Sequence, residues 1–245
     1  MPTVLLRLSA PMQSWGTTSQ WEERATTVRP TKSAVIGIVA NALGYQLQDN
    51  LSALAPLQFA VRADRPGRTA VDHQTAGGGQ PAPATRLPSA YGAPRGLEPD
   101  PAGTLQPSEG ATARLTVLVR KHYIADAAFL AGLSTPDKDL ASEIAEALTR
   151  PARPLYLGRR SFPPAHPIYH GTTPLPPETW PDRIPLLPEA SDPSPWAWTE
   201  SPPGPGTIAS PEQVPTTFEE RDHPLMHLHR RRTEPAAPQP PGGAA

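Results

Sequence analysis

Hydrophobic and polar positions in the first half of the chain switch between the period of a strand and that of a helix. Residues 3–8 predict a first strand, which ends at Ala10-Pro11. A helix is predicted to begin at Pro30-Thr31-Lys32-Ser33 and to stop at Gly44, because glycine commonly ends helices. Its apolar positions recur at helical intervals: Val35, Ile36, Val39, Ala40 and Leu43.

Further elements follow in a regular order. Residues 57–61, 115–119 and 127–133 predict strands, and residues 136–148 predict a helix with one apolar face. Residues 72–113 are rich in Gly, Pro, Ala and Thr, which indicates a long excursion rather than core. With a final strand, the order is strand, helix, strand, excursion, strand, strand, helix, strand. This order predicts an α+β protein built on a ferredoxin-like βαββαβ unit with an insertion.

Proline content limits what the second half can form. The 245 residues include 36 prolines, which become denser after Thr149 and favour short strands and loops there. We therefore expect a first domain over residues 1–160 with an insertion at about 73–113, then a β-rich, Pro-rich region over 161–232. The Pro- and Ala-rich tail over 233–245 is expected to be disordered.

Charge is unevenly distributed, although the formal net charge is only −1. Residues 178–222 hold nine carboxylates and two arginines, whereas residues 147–177 and 73–97 hold no carboxylate. The small net charge argues against nonspecific coating of nucleic acid, which needs a broad positive surface. We expect such a chain to hold a polyanion on one face, and to dock a partner or remain soluble through the other.

Several classes of protein are excluded or disfavoured. The chain has no cysteine, so disulfide and thiolate chemistry are excluded. Val4-Leu5-Leu6 is too short a run for a signal peptide, and no stretch approaches a membrane span, so we expect a cytoplasmic protein. There is no Walker loop, G-x-G-x-x-G motif or carboxylate cluster, and three arginines follow His227 and His229. We therefore expect no cofactor and no metal.

The most distinctive motif is Tyr156-Leu157-Gly158-Arg159-Arg160-Ser161, midway along the carboxylate-free window 147–177. A glycine before paired arginines lets backbone N–H groups approach an anion while two guanidinium groups clamp it. The motif therefore predicts phosphate recognition by Gly158, Arg159, Arg160 and Ser161. A solvated basic loop is the alternative.

A second candidate anion site lies at the start of the predicted helix. Lys32 and Ser33 are placed where free N–H groups and the helix dipole attract anions, and Arg29 could reach the same phosphate. N-capping by Thr31 is the alternative, and both roles can hold together.

Aromatic residues beside cations suggest RNA contacts. Strand alternation places Lys121 and Tyr123 on one face and His122 on the other, and a lysine beside a tyrosine suits an RNA backbone and a stacked base. Trp15 is a further stacking candidate, with packing against the sheet as the alternative.

Four stretches occur together in the order found in one known family. They are Leu6-Arg7-Leu8-Ser9-Ala10-Pro11-Met12-Gln13-Ser14-Trp15-Gly16, Pro30-Thr31-Lys32-Ser33 with its helix, Tyr123-Ile124-Ala125-Asp126-Ala127-Ala128-Phe129, and the 156–161 motif with His166-Pro167. On these residues the chain resembles the CasD family of the type I-E CRISPR surveillance complex, Cascade, within the RAMP superfamily. A weaker match, Asp72-His73-Gln74-Thr75, falls where the family's protruding thumb begins.

The resemblance implies a ferredoxin-like (RRM-like) RAMP domain with an inserted thumb and a smaller β-rich C-terminal region. It implies a noncatalytic subunit that grips the 5′ handle of CRISPR RNA (crRNA) and caps a protein filament in antiviral defence. The implied partners are the crRNA 5′ handle, the Cascade backbone subunit, the Cascade large subunit and, indirectly through the complex, target DNA. It adds Gln74 and Thr75 to the RNA-binding candidates, and it places Trp15 and Gly16 at a turn on the RNA-facing rim.

A metal-independent endoribonuclease is the alternative, because relatives in another CRISPR subtype cut precursor RNA themselves. That chemistry needs a general base near a ribose 2′-OH, an acid near the leaving oxygen and a cation for the developing charge. His122, Tyr45 and Lys121 have side chains of these types. The type I-E resemblance favours the noncatalytic role, since a separate subunit cleaves the RNA there.

Overall fold

The computed structural model describes residues 1–16, 23–76, 97–99, 105–107, 117–219 and 223–235. In these ranges the strands are β1 (Thr3–Gln13), β2 (Glu23–Arg24), β3 (Gln58–Arg65), β4 (Arg68–Ala76), β5 (Leu97–Pro99), β6 (Leu105–Pro107), β7 (Val117–Ser134), β8 (Tyr169–Thr173), β9 (Trp196–Glu200), β10 (Thr207–Pro211) and β11 (Leu225–Arg232). The helices are α1 (Lys32–Leu43), α2 (Lys138–Thr149) and the short α3 (Trp180–Arg183). None of these three helices has the length and apolar character needed to span a bilayer.

Most strands join one sheet, in the order β10-β11-β9-β3-β7-β1-β8, with β2 and β4 also paired to β7. Neighbours along this order are antiparallel, while β2 runs parallel to β7. Thr3 of β1 lies opposite both Ser134 and Thr173, so β1 is an inner strand from its first residue. β5 and β6 pair with each other. A large, mainly antiparallel sheet with few helices confirms the predicted mixed class in outline.

The two faces of the sheet are buried by different elements, because side chains alternate along each strand. Val4, Leu6 and Leu8 of β1 join α1 and α2 in the main core. Leu5 packs on the other side with the cluster that contains Trp180 of α3. Burying a tryptophan removes roughly 200 Å² from water, worth roughly 5 kcal/mol before entropy at about 25 cal/mol/Å². The short α3 therefore anchors the second face.

Helices α1 and α2 form where the sequence predicts them. Thr31 is the N-cap of α1 and accepts a hydrogen bond from the Ala34 N–H at 3.3 Å. Gly44 ends this helix with a φ of 87°, a left-handed conformation that favours glycine. The Asp137 carboxylate accepts from the N–H groups at the start of α2. Both predicted helices are confirmed, with α2 running from Lys138 to Thr149.

Two predictions are wrong in detail. The strands predicted over 115–119 and 127–133 belong to one strand, β7, which has 18 residues; residues 115 and 116 lie outside the described ranges. Asp126, with a φ of 55°, interrupts the apolar pattern, but β1 pairs with β7 on both sides of it. Thr233, predicted to open the disordered tail, is fully buried, and its hydroxyl donates to the Pro195 carbonyl at 2.9 Å. Residues 236–245 lie outside the described ranges.

The chain divides into two compact units. The first comprises residues 1–18, 25–70 and 123–245, and the second comprises residues 19–24 and 71–122. Because β9 pairs with β3, the region after residue 160 continues the sheet of the first unit, and the predicted boundary there is not a unit boundary. The predicted insertion at 73–113 falls within the second unit, although 77–96, 100–104 and 108–113 lie outside the described ranges.

Candidate functional site

The amino end of α1 does hold an anion, but this anion is the side chain of Glu212. The Glu212 carboxylate accepts from both terminal nitrogens of Arg29, one of them at 2.9 Å, and from the Lys32 N–H at 3.2 Å. The Lys32 ammonium donates to both carboxylate oxygens of Glu200, at 3.1 and 2.9 Å. The free N–H groups and the dipole of a helix start favour such an anion.

These contacts require a correction for Arg29 and Lys32. Arg29 is 7% exposed, Lys32 is 1% exposed, and each is neutralised by a carboxylate of the protein. Neither side chain is available to a phosphate in this structure, so a structural role replaces the predicted one. Ser33 is different, since it is only half-buried and lines a groove described below.

Trp15 also needs a correction, because its side chain is fully buried and belongs to the core. The indole N–H donates to the Gln13 side-chain oxygen at 3.2 Å. Its backbone N–H donates to the Thr26 hydroxyl at 2.8 Å, and its carbonyl accepts from the Thr27 N–H at 2.7 Å. Trp15 is therefore part of the core, bonded to Thr26 and Thr27, and offers no face for a base to stack on.

The loop of the 156–162 segment is tightly closed. Leu157 donates its N–H to the Phe162 carbonyl at 2.8 Å, and its own carbonyl accepts from the Ser14 N–H at 3.1 Å. Gly158 has a φ of 92°, and a Cβ atom there would lie 1.7 Å from the Ser14 carbonyl oxygen. Glycine is thus required by the approach of this loop to β1, a reason that differs from the predicted approach of an anion.

Aromatic and cationic side chains meet on this loop. The Arg159 guanidinium carbon lies 5.4 Å from the centroid of the Phe162 ring, and the rings of Phe162 and Tyr123 are 6.2 Å apart at 53°. Phe162 is buried, whereas Arg159 and Tyr123 are half-buried and Arg160 and Ser161 are exposed. The structure therefore brings two of the predicted residues, Arg159 and Tyr123, against one buried ring.

A groove of about 620 Å³ lies beside this loop and α1. The described residues of its lining include no carboxylate. The side chains that can hydrogen-bond or stack along it are Ser33, Asn41, Tyr45, Gln46, Arg153, Tyr156, Arg160, Phe218 and His223. Arg153 donates to the carbonyl oxygens of Gly44 at 2.6 Å and Tyr45 at 2.7 Å, so it caps the carboxyl end of α1 and holds the loop there. Arg160 is then the exposed cation of the groove.

Asn41, Phe218 and His223 line this groove without being predicted from the sequence, and Tyr156 opens the predicted motif without being one of its predicted contacts. A signal for Asn41 is present in α1: Ser33, Gly37 and Asn41 recur every four residues and therefore share one helix face. Such small and polar positions on an otherwise apolar helix leave room for a groove. Phe218 and His223 come from a distant part of the chain, and only the fold brings them to it.

Other predicted residues belong to the second unit. There the Lys121 ammonium donates to the Gln74 side-chain oxygen, and Gln74 donates to an Asp72 carboxylate oxygen at 2.5 Å. A ring nitrogen of His122 lies 2.9 Å from a Glu23 carboxylate oxygen. The side chain of Thr75 lies outside the described residues. Nowhere in the described ranges do three or more His, Asp or Glu side chains cluster as metal ligands would.

The acid-rich segment 178–222 is neutralised in part by cations of the protein. Five of its carboxylates form ion pairs: Asp182 with Arg231, Glu189 with Arg7, Asp192 with Arg232, Glu200 with Lys32 and Glu212 with Arg29. The hydrogen bond from Arg231 lowers the pKa of Asp182. Burial alone would raise the pKa of Glu189, but hydrogen bonds from Arg7 and Ser9 lower it overall. This segment therefore supplies counter-charges for cations elsewhere in the fold.

Comparisons with known proteins converge on one family. The family model described as CRISPR-associated protein (Cas_Cas5) matches residues 3–229. The chain is 32% identical over 165 residues to the CRISPR system Cascade subunit CasD of Escherichia coli (strain K12), a match that spans 65% of this chain and 66% of that protein. A chain of a solved CRISPR RNA-guided surveillance complex is similar with a TM-score of 0.70 and 30% identity, over 95% of this chain and 90% of that one. A crystal structure of a Cas protein gives 0.66 and 28%, over 94% of each chain.

Proposed function

Because this chain belongs to the Cas5 family of CRISPR-associated proteins, we propose that it is a noncatalytic subunit that holds the 5′ handle of crRNA in a surveillance complex. The groove beside α1 carries this proposal, since its described lining holds Arg160 and two tyrosines but no carboxylate. Single-stranded RNA binding needs cations for phosphates and aromatic faces for bases. The similarity to a Cascade subunit and to a surveillance-complex chain supports the same role.

The proposed RNA contacts are those predicted residues whose side chains are not fully buried. In the first unit they are Ser33, Tyr123, Arg159, Arg160 and Ser161. In the second unit they are Lys121 and Gln74. Thr75, whose side chain lies outside the described residues, is proposed as a contact on the resemblance alone. Gly158 is assigned to the shape of the loop, and Trp15, Arg29 and Lys32 to the scaffold beneath it.

The core of the first unit is proposed to be the ferredoxin-like unit of the family. Its elements would be β1, α1, β3, β7, α2 and β8, and the sheet order β3-β7-β1-β8 supports this reading. The second unit would be the thumb. The protein partners would be the backbone subunit of the complex, whose filament this chain caps, and its large subunit; target DNA would be reached only through the complex.

An endoribonuclease is the competing function, and one contact favours it. The Glu23 carboxylate beside His122 is the kind of partner that orients a histidine base. Our proposal instead treats this pair as part of the second unit's structure.

RNA binding and cleavage can be measured in one experiment. The purified chain is incubated in EDTA with repeat-containing RNA and with scrambled RNA of the same length. We expect binding that prefers the repeat RNA, with no cleavage. A product ending in a 2′,3′-cyclic phosphate, lost in the His122→Ala variant, would establish the nuclease instead. Equal or absent binding of the two RNAs would reject the handle-binding role.

A further inference from the structure

Strand β11 ends in three consecutive arginines with unequal partners. Arg231 donates to Asp182 at 2.5 Å, and Arg232 donates to Asp192 at 2.5 Å. Within the described residues Arg230 has no carboxylate partner, although its side chain is exposed. Arg230 is therefore the cation of this strand that the described fold leaves without a counter-charge.

The Arg230 guanidinium is held in place by an aromatic ring. Its carbon lies 4.3 Å from the centroid of Trp196, and the guanidinium of Arg232 lies 4.5 Å from the same centroid. Stacking fixes a guanidinium while leaving its N–H edge available, which prepares it for a bidentate bond to an oxyanion. Ordering the side chain in advance lowers the entropy lost on binding.

An exposed apolar residue and an open strand edge lie beside this cation. Ile208 of β10 is 45% exposed and sits opposite Leu228, which shares a strand face with Arg230. β10 is the last strand of the sheet order, so no described strand pairs with its outer edge. We call Ile208, Trp196, Arg230 and this edge the β10 surface.

The chemistry of the β10 surface suits a protein segment better than a nucleic acid. Trp196 is already stacked on two guanidinium groups, so it does not offer a free face to a base. Arg231 and Arg232 are already paired with Asp182 and Asp192, so on this strand Arg230 is the arginine without a described carboxylate partner. One such cation suits a single carboxylate better than a run of phosphates, which needs several cations. Tryptophan and arginine are also the residues that most often anchor protein interfaces.

We propose that the β10 surface docks an extended acidic segment of a neighbouring protein subunit. The segment would add a strand to β10, place a carboxylate on Arg230 and cover Ile208 with an apolar side chain. This inference rests on the proposed function only in assuming that the chain works inside a protein complex.

Site-specific crosslinking within the purified complex tests the docking. The photoreactive amino acid p-benzoylphenylalanine replaces Ile208 in one variant and Leu225 in the control. Leu225 is 66% exposed and lies three residues before Leu228, so it is on the other face of β11. We expect position 208, but not 225, to crosslink to a subunit peptide that contains Asp or Glu. Arg230→Glu should lower the yield at least about tenfold, as loss of an interface hot spot does. Exchanging the partner's acid for Arg should restore it.

Each other outcome overturns the docking proposal. These outcomes are an adduct to RNA or DNA, an adduct to residues 236–245 of the same chain, equal yield from both positions, and no adduct. Binding of repeat RNA is measured on the same variants, and Arg230→Glu should leave it within about twofold. If the wild-type chain fails to bind RNA but forms the acidic adduct, the proposed function fails while the docking surface stands.

Discussion

Two pairs of cations in the first unit give the same signal in the sequence and have opposite surroundings in the structure. Arg29 and Lys32 are buried against Glu212 and Glu200, which lie 183 and 168 residues further along the chain. Arg160 lies exposed on a groove whose described lining has no carboxylate, and Arg159 is half-buried on the same loop. The comparison shows that a cation's role depends on the acid that the fold brings to it, and that acid need not be near in sequence.

The largest expected effect comes from removing the acid of the buried pair. Glu212→Ala leaves Arg29 buried without an anion, so the free energy of unfolding should fall by about 3–5 kcal/mol in urea denaturation. Glu219→Ala removes an exposed carboxylate seven residues later in the chain and should change the free energy of unfolding by less than about 0.5 kcal/mol. The double variant Arg29→Met, Glu212→Leu should recover most of the loss. If Glu212→Ala lowered the free energy of unfolding by less than about 1 kcal/mol, the buried pair would not depend on its acid, which would contradict the comparison above.

Gly158→Ala should have the next largest effect. It forces a side chain into a left-handed conformation, which costs about 1–3 kcal/mol, and brings a methyl group against the Ser14 carbonyl. Thermal and urea unfolding should therefore show a loss of more than about 2 kcal/mol. Gly204→Ala is the control, because a Cβ atom there meets nothing within 4 Å. If Gly158→Ala left stability intact but weakened RNA binding, the anion-approach explanation of this glycine would be the better one.

The loop pair, Arg159 and Arg160, is tested by RNA binding. Arg159→Ala with Arg160→Ala should weaken binding of repeat RNA by about tenfold or more, roughly 1.4 kcal/mol. The salt dependence, the slope of log K against log salt, should lose about 1.4 units, about 0.7 for each phosphate contact on a single strand. Arg150→Ala is the matched control, since that exposed arginine of the same window pairs with Glu146. An unchanged slope in the double variant would indicate that the loop is solvated and contacts no phosphate.

The smallest effect is a pH dependence. Burial first, and then the positive charge of Arg7, lowers the pKa of His170. As the pH falls below about 6.5, His170 is therefore protonated in the unfolded chain before it is protonated in the folded protein, and the free energy of unfolding decreases. The decrease continues until the pH has fallen through the lower pKa of His170 in the folded protein. Lowered carboxylate pKa values at Asp182, Glu189 and Asp192 extend the loss below about pH 4. Stability should decline from pH 7 to 5, less so in His170→Asn; a rise on acidification would contradict this sign.

Local sequence was sufficient for features that neighbouring residues determine. Both caps of α1 could be predicted because Thr31 and Gly44 act on the turns beside them. The same reasoning predicted a phosphate at the start of α1, where the structure instead has the Glu212 carboxylate. Glu212 could not be identified from the sequence, because the pairing depends on the sheet that carries the C-terminal strands to β3. The groove combines one helix face with residues from two distant segments, so its outline required the fold. The single strand β7 was missed because Asp126 interrupts its apolar pattern.

The position of β1 inside the sheet has a consequence for synthesis on the ribosome. Its first residue, Thr3, meets Ser134 on β7, which is 131 residues later in the chain. At about 5–20 residues per second, the nascent chain carries the unpaired strand Val4-Leu5-Leu6 for roughly 7–26 seconds before its partner emerges. Such delayed pairing also slows folding, because the long segment between β1 and β7 must close, at an entropic cost, before contacts between the two strands can form. Protease protection of β1 should appear only on ribosome-bound chains long enough to expose β7, and until then this strand is a natural target for chaperones.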